Sequence, residues 1–237
     1  MTSQETHDKL MQVKQHLHSM MNGTVSRSLR DKGLNYKVIY GVEWPRLITL
    51  AQELGKDKAL ASALKKEDIR ECRLLAGLLY PAEEFSDDLA DVWVESMHYP
   101  EEAQYTTLSL FQYLPTARRL AYQWIADSRT MYQLCGYLLL TRLFMREGAI
   151  EGREANEFLD QAQSALTLPD ISLHSAIRNA LLKYAQTGPI EQKRAEQILS
   201  EDERRQMGIG KPSDGHQTQP DQTQKSPDES KKDNFSS

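Results

Sequence analysis

Leu89-Ala90-Asp91-Val92-Trp93-Val94 and Leu120-Ala121-Tyr122-Gln123-Trp124-Ile125 are two copies of one pattern, and their spacing decides how this chain folds. The two tryptophans stand 31 residues apart. A looser copy, Leu60-Ala61-Ser62-Ala63-Leu64, begins 29 residues before Leu89; a fourth, Phe158-Leu159-Asp160-Gln161-Ala162, begins 38 residues after Leu120. The glycine-containing segment 148–152 is expected to absorb the excess in the last interval. In a helix the Leu and Trp of such a unit sit one turn apart on one face, and the intervening alanine lets a neighbouring helix come close. Trp93 and Trp124 therefore read first as core residues at equivalent positions, with ligand contact as the alternative. A period near ~30 residues is that of a helix pair too short to close a core alone, so it must stack on its neighbours.

The rest of the chain agrees with an all-helical solenoid. Each copy falls in the second helix of a pair, with first helices expected over 68–79, 101–114, 130–146 and, opening another pair, 172–186. The helix over 130–144 is apolar nearly all round and should form the buried centre of the array. Pro and Gly fall mainly between periodic segments, and a strand-like alternation appears only weakly, at 36–42. Asp57, Ser86, Thr116 and Ser172 are expected as caps or first-turn residues. From 211 onward the only large apolar residue is Phe235, so this segment cannot offset its ordering entropy. The expected organisation is one α-α superhelical domain over 1–208 and a disordered polar tail over 209–237.

Composition narrows the function classes. The 237 residues carry a formal net charge of −5, which argues against indiscriminate DNA coating but not against a local basic groove. Cys72 and Cys135 lie in apolar helical runs and read as buried free thiols. No Cys/His cluster suggests a metal, no helical His pair brackets a glutamate, and no phosphate-binding or nucleophile-elbow motif is present. The start of the chain lacks an apolar signal core, and the uncharged run 130–141 is too short to span a bilayer. Neither cofactor nor metal nor membrane is expected, and the default location is cytoplasmic.

Charged residues supply the remaining leads. Glu101 and Glu102 follow Pro100 at a helix start, where carboxylates suit the positive end of the helix dipole; alternatively one faces a groove and stabilises developing positive charge. Lys14, Arg27, Arg30, Lys32, Lys37 and Arg46 stand against only Asp31 and Glu43. Lys65, Lys66, Arg70 and Arg73 are diluted by Glu67, Asp68 and Glu71, and Arg118 with Arg119 forms a short third patch. Converging in one groove, such cations would track a phosphate backbone.

Two stretches carry a family resemblance. Gly33-Leu34-Asn35-Tyr36-Lys37-Val38-Ile39-Tyr40-Gly41-Val42, continued by Trp44-Pro45-Arg46-Leu47, resembles the "yGV-x-x-P-x-L" segment of the DNA alkylation repair enzymes. Glu71-Cys72-Arg73-Leu74-Leu75-Ala76 is similar to their "E-x-R-x-x-A" helix. The resemblance implies a curved array of HEAT-like helix pairs whose concave face cradles duplex DNA. It also implies excision of cationic alkylated purines by a helix-borne aspartate, neighbouring tryptophans and an arginine. A carboxylate there would stabilise positive charge on the sugar as the base departs.

The sequence departs from that pattern where the chemistry should be. Pro100-Glu101-Glu102-Ala103-Gln104-Tyr105-Thr106 holds neither aspartate nor tryptophan, and Tyr105 or Gln104 stands in the carboxylate's place. The next first helix reads Met131-Tyr132-Gln133-Leu134-Cys135-Gly136, with Arg129 the nearest arginine. Candidate catalytic groups are thus Glu101, Glu102 and Tyr105; candidate DNA contacts are Lys37, Arg70, Arg73, Arg129 and Tyr132. Arg73, Glu102, Tyr105 and Tyr132 are expected on the inner face. Three readings follow: a DNA-binding relative without the usual aspartate, a protein-binding scaffold, and an alkylpurine glycosylase using a substituted carboxylate.

Overall fold

The computed structural model describes residues 2–207 apart from Ala149 and Glu151; the expected tail, 209–237, lies outside the described residues. The described chain is helical, in the order α1 (Ser3–Ser19), α2 (Gly23–Asp31), α3 (Trp44–Leu54), α4 (Lys58–Lys65), α5 (Arg70–Leu79), α6 (Asp87–Glu95), α7 (Pro100–Ser109), α8 (Ala117–Ile125), α9 (Thr130–Glu147), α10 (Gly152–Ala165), α11 (Ile171–Ala185), α12 (Pro189–Ile198) and α13 (Glu201–Met207). No helix among the described residues is long and apolar enough to cross a membrane.

The helices stack in two layers. α3, α5, α7, α9 and α11 touch in succession along one layer; α8, α10 and α12 do so along the other, and α4–α5 and α8–α9 join the two. The repeated unit explains this. Its four copies fall in α4, α6, α8 and α10, and Ala61, Ala90, Ala121 and Ala162 are all fully buried. Trp93 meets Tyr80 and Phe85 edge-on, and Trp124 meets Phe111 at a tilt, so both are core residues at equivalent levels. α9 contacts α7, α8 and α11 and is the buried spine expected from its apolar sequence. At 18 residues against 10 in α7, α9 itself takes up part of the excess expected of the glycine segment.

Local expectations fare unevenly. Asp57 and Ser86 cap α4 and α6 by accepting from the Leu60 and Leu89 amides at 3.0 and 3.3 Å. Thr116 precedes α8 but gives its hydroxyl to Asp87. Ser172 is a first-turn residue of α11, as expected, while the cap itself is Asp170, 2.7 Å from the Leu173 amide. The weak strand at 36–42 proves to be an extended loop making a single bridge, Val38 to Ile69. One pairing cannot form a ladder, so the alternation there reflects anchoring to helices.

α8 and α9 cross at close range. A Cβ on Gly136 would come within 2.7 Å of Ile125 Cγ2 and 3.0 Å of the Ala121 carbonyl oxygen. Gly136→Ala should therefore cost about 1–3 kcal/mol through overpacking. Urea unfolding monitored by helical circular dichroism checks this, and an unchanged midpoint would contradict the close approach.

Candidate nucleic-acid interface

The loop 32–43 between α2 and α3 is a strap held from below by two buried glutamates. Glu71, in the first turn of α5, is 0 % exposed. Its carboxylate accepts the Tyr40, Gly41 and Val42 amides at 3.0, 2.9 and 3.3 Å. Three successive N–H groups can converge on one carboxylate because Gly41 takes φ 76°, a conformation costly for other residues. A Cβ there would also collide with the Asn22 carbonyl and Ser26 nitrogen. Further along, Val38 donates to the Asp68 carbonyl at 3.2 Å and accepts from the Arg70 amide at 3.1 Å.

Glu102 is the second anchor. It is 1 % exposed, and its Oε2 accepts Arg73 Nε at 2.7 Å and Lys65 Nζ at 3.3 Å. Its Oε1 accepts the Tyr36 hydroxyl at 3.2 Å and the His98 amide at 3.3 Å. A carboxylate has about four lone-pair sites, and all are engaged. Arg73 also donates to the Lys65 and Ser96 carbonyls. Burial pushes Lys65 down to about 8, only partly offset by Glu102, and Arg73 pushes the same way. Burial raises the Tyr36 phenol, with the charges of Glu102 and Glu101 adding to it. Beside this cluster Glu101 takes a forked grip from Arg70, with Nε at 3.0 and 3.1 Å and Nη2 at 2.9 Å.

The expectation that Arg70 and Arg73 offer guanidinium groups to phosphate does not match their placement. They are 6 % and 8 % exposed and bound to carboxylates. Nor do Arg73, Glu102 and Tyr132 line an open inner face, since all three are buried between helices. Charges at such depth persist because they are paired. A signal was available: Cys72, Leu74, Leu75 and Ala76 leave α5 almost no polar surface on which an arginine could be solvated.

The other candidates are spread out. Tyr105, one turn beyond Glu101, stacks on Trp44 with ring centroids 4.2 Å apart and planes at 27°. Sequence reasoning used Trp44 only as part of a motif and missed this partnership, which spans two helices. Arg129 lies 3.6 Å over the Tyr132 ring and forks onto Asp127 at 3.0 and 2.8 Å. Tyr132 in turn donates to the Asp91 carbonyl at 3.0 Å. Lys37 is exposed and, like Arg27, Lys32, Arg46 and Lys66, has no ion pair among the described residues. By contrast Lys14 pairs with Glu67, Arg118 with Glu147 and Glu154, and Arg119 with Asp87. Exposed cations without an ion pair are thus present around α2, the strap and the start of α3, and others, Arg146, Arg153 and Lys193 among them, lie on α9, α10 and α12. Among the described residues no group of three His, Cys, Asp or Glu side chains is arranged to hold a metal ion.

This geometry belongs with a sequence match over most of the chain: the family model described as DNA alkylation repair enzyme covers residues 13–207. The chain belongs to that family. A solved structure described as "a new family of proteins related to the HEAT-like repeat DNA glycosylases with affinity for branched DNA structures" superposes with a TM-score of 0.71. That match has 16 % identity and covers 80 % of this chain and 81 % of the other, a likeness of fold. No curated protein sequence matches significantly. In this member of the DNA alkylation repair family, the motif residues Gly41, Val42, Glu71 and Arg73 hold the strap and its neighbouring helices together.

Two outcomes follow from the buried network. Glu102→Gln should lower stability by about 3–5 kcal/mol, because Lys65 and Arg73 would stay buried without their counter-charge. Urea denaturation checks it; a loss under about 0.5 kcal/mol would be that of a surface carboxylate. Lys65 should titrate near 8 by Nζ chemical shift. Its folded value lies below the ordinary 10.5, so its contribution to stability rises as pH climbs from about 8 to 10.5.

Proposed function

We propose that this protein binds DNA through the cationic surface formed by α2, the strap and the start of α3, and does so without excising bases. The observation that carries the reading is the contrast between the two kinds of charge. Glu101 and Glu102, the carboxylates nearest the family's catalytic position, are bound to Arg70, Arg73 and Lys65. A carboxylate already neutralised has little field left to stabilise positive charge on a departing sugar. Arg27, Lys32, Lys37 and Arg46 are exposed and free to meet phosphates. The net charge of −5 is not decisive, since screening confines its influence to about 8 Å at physiological salt and the local cations dominate contact.

The solved structure of similar fold belongs to proteins described as having affinity for branched DNA. That suggests the substrates to compare: a four-way junction and a linear duplex of the same length. Fluorescence anisotropy should show binding that weakens with salt, and Arg27→Ala with Lys37→Ala should each lower the slope of log K against log salt by about 1. DNA carrying 7-methylguanine should release no base above the protein-free rate. Binding indifferent to salt would refute the DNA reading. Base release lost in Glu101→Gln would restore the enzymatic one.

A further inference from the structure

The Trp44–Tyr105 stack takes no part in the ion-pair network and carries no positive charge for phosphate. We propose that it is a platform on which an unpaired nucleobase stacks, so that the preferred DNA is one with a gap, flap or branch point. The proposal rests on the DNA-binding reading above and specifies which DNA.

Ring geometry is the first argument. Trp93 and Trp124 are buried and meet their neighbours at 87–90° and at 58°. Such edge-on and tilted contacts are how aromatics fill a core. Trp44 and Tyr105 are instead nearly parallel and only partly buried, the one stacked pair among the described aromatic contacts. The two stacked rings pack against the core yet stay partly exposed, and every nucleobase has a face that can extend such a stack.

Rigidity is the second. Trp44 opens α3 immediately after the strap, whose Val42 amide is held by Glu71. Tyr105 stands one turn after Glu101. A single guanidinium, that of Arg70, donates both to Glu101 and to the Val42 carbonyl at 3.4 Å. The backbones on either side of the stack are thus tied to the same side chain, so little ordering remains to oppose binding.

Charge is the third. Exposed Arg46 lies two residues beyond Trp44, in the first turn of α3, and Lys37 lies on the strap. Both carry positive charge on the segments flanking the platform, as needed for the phosphates on either side of an unstacked base. Glu101 is neutralised by Arg70, so the platform offers π-faces without a free carboxylate and suits neutral bases irrespective of sequence.

The test uses the full chain and two probes: an intact duplex, and the same duplex with a three-nucleotide gap holding 2-aminopurine. Wild type should bind the gapped probe about tenfold more tightly and quench the 2-aminopurine. Trp44→Leu should abolish both the preference and the quenching, bringing gapped-probe affinity down to that of the intact duplex; Trp44→Phe should keep the preference and the quenching. Should Trp44→Leu fail to fold, Tyr105→Leu serves in its place. Equal wild-type affinity for the two probes, or equal weakening of both by the leucine variant, would overturn the platform while leaving DNA binding intact. Absence of salt-dependent binding to either probe would overturn both.

Discussion

Three backbone amides converging on the Glu71 carboxylate are the contact on which the N-terminal half depends. A loop as long as 32–43 has no internal ladder to satisfy its N–H groups, and buried donors without partners are costly. Glu71 supplies one acceptor for three of them and in doing so fixes where α3 starts. Trp44, Pro45 and Arg46 inherit their positions from that choice. Arg70 then links the same loop to α7 through Val42 and Glu101. Remove the carboxylate, and the strap, the first turn of α3 and the Trp44–Tyr105 stack lose their common reference.

Around this anchor the protein keeps several charges out of water, an arrangement that apolar side chains of equal volume often match in stability. What ion pairs add is direction. Glu102 accepts from α4, α5, the strap and the backbone ahead of α7, and each donor arrives from a different element. An apolar cluster would tolerate sliding between these elements, whereas a saturated carboxylate defines a single register. The acidic groups of α5 and α7 are part of the framework.

The fold was legible in the sequence because its signals are local. Leu-Ala-x-x-Trp copies, capping Asp57 and Ser86, and an apolar run over 130–144 need only a helix's own periodicity to be read. The site was not, because its meaning lies in distant partners. Glu102 depends on Tyr36, 66 positions away, and on Lys65 and Arg73, 37 and 29 positions away. Read alone, Arg70 and Arg73 look like surface cations and Glu101 and Glu102 like dipole-favoured first-turn acids. Only the stacking of α5 on α7 turns these four into two ion pairs, each with a buried arginine. Lys37 differs, since an exposed lysine on a loop needs no partner to be placed.

The strap also bears on the order in which the molecule assembles. Its residues leave the ribosome well before the groups that hold them, as Tyr36 waits for Glu102 and Asn35 for the Tyr99 hydroxyl, 64 positions later. Contacts of such separation form late, after the loop-closing entropy has been met by other packing. The strap's cations are thus synthesised well before its second anchor. Until α7 docks, the strap is held through Tyr40, Gly41 and Val42 but not yet through Tyr36. A nascent chain in that state already carries its positive charge, before it has the rigid framework that would aim it.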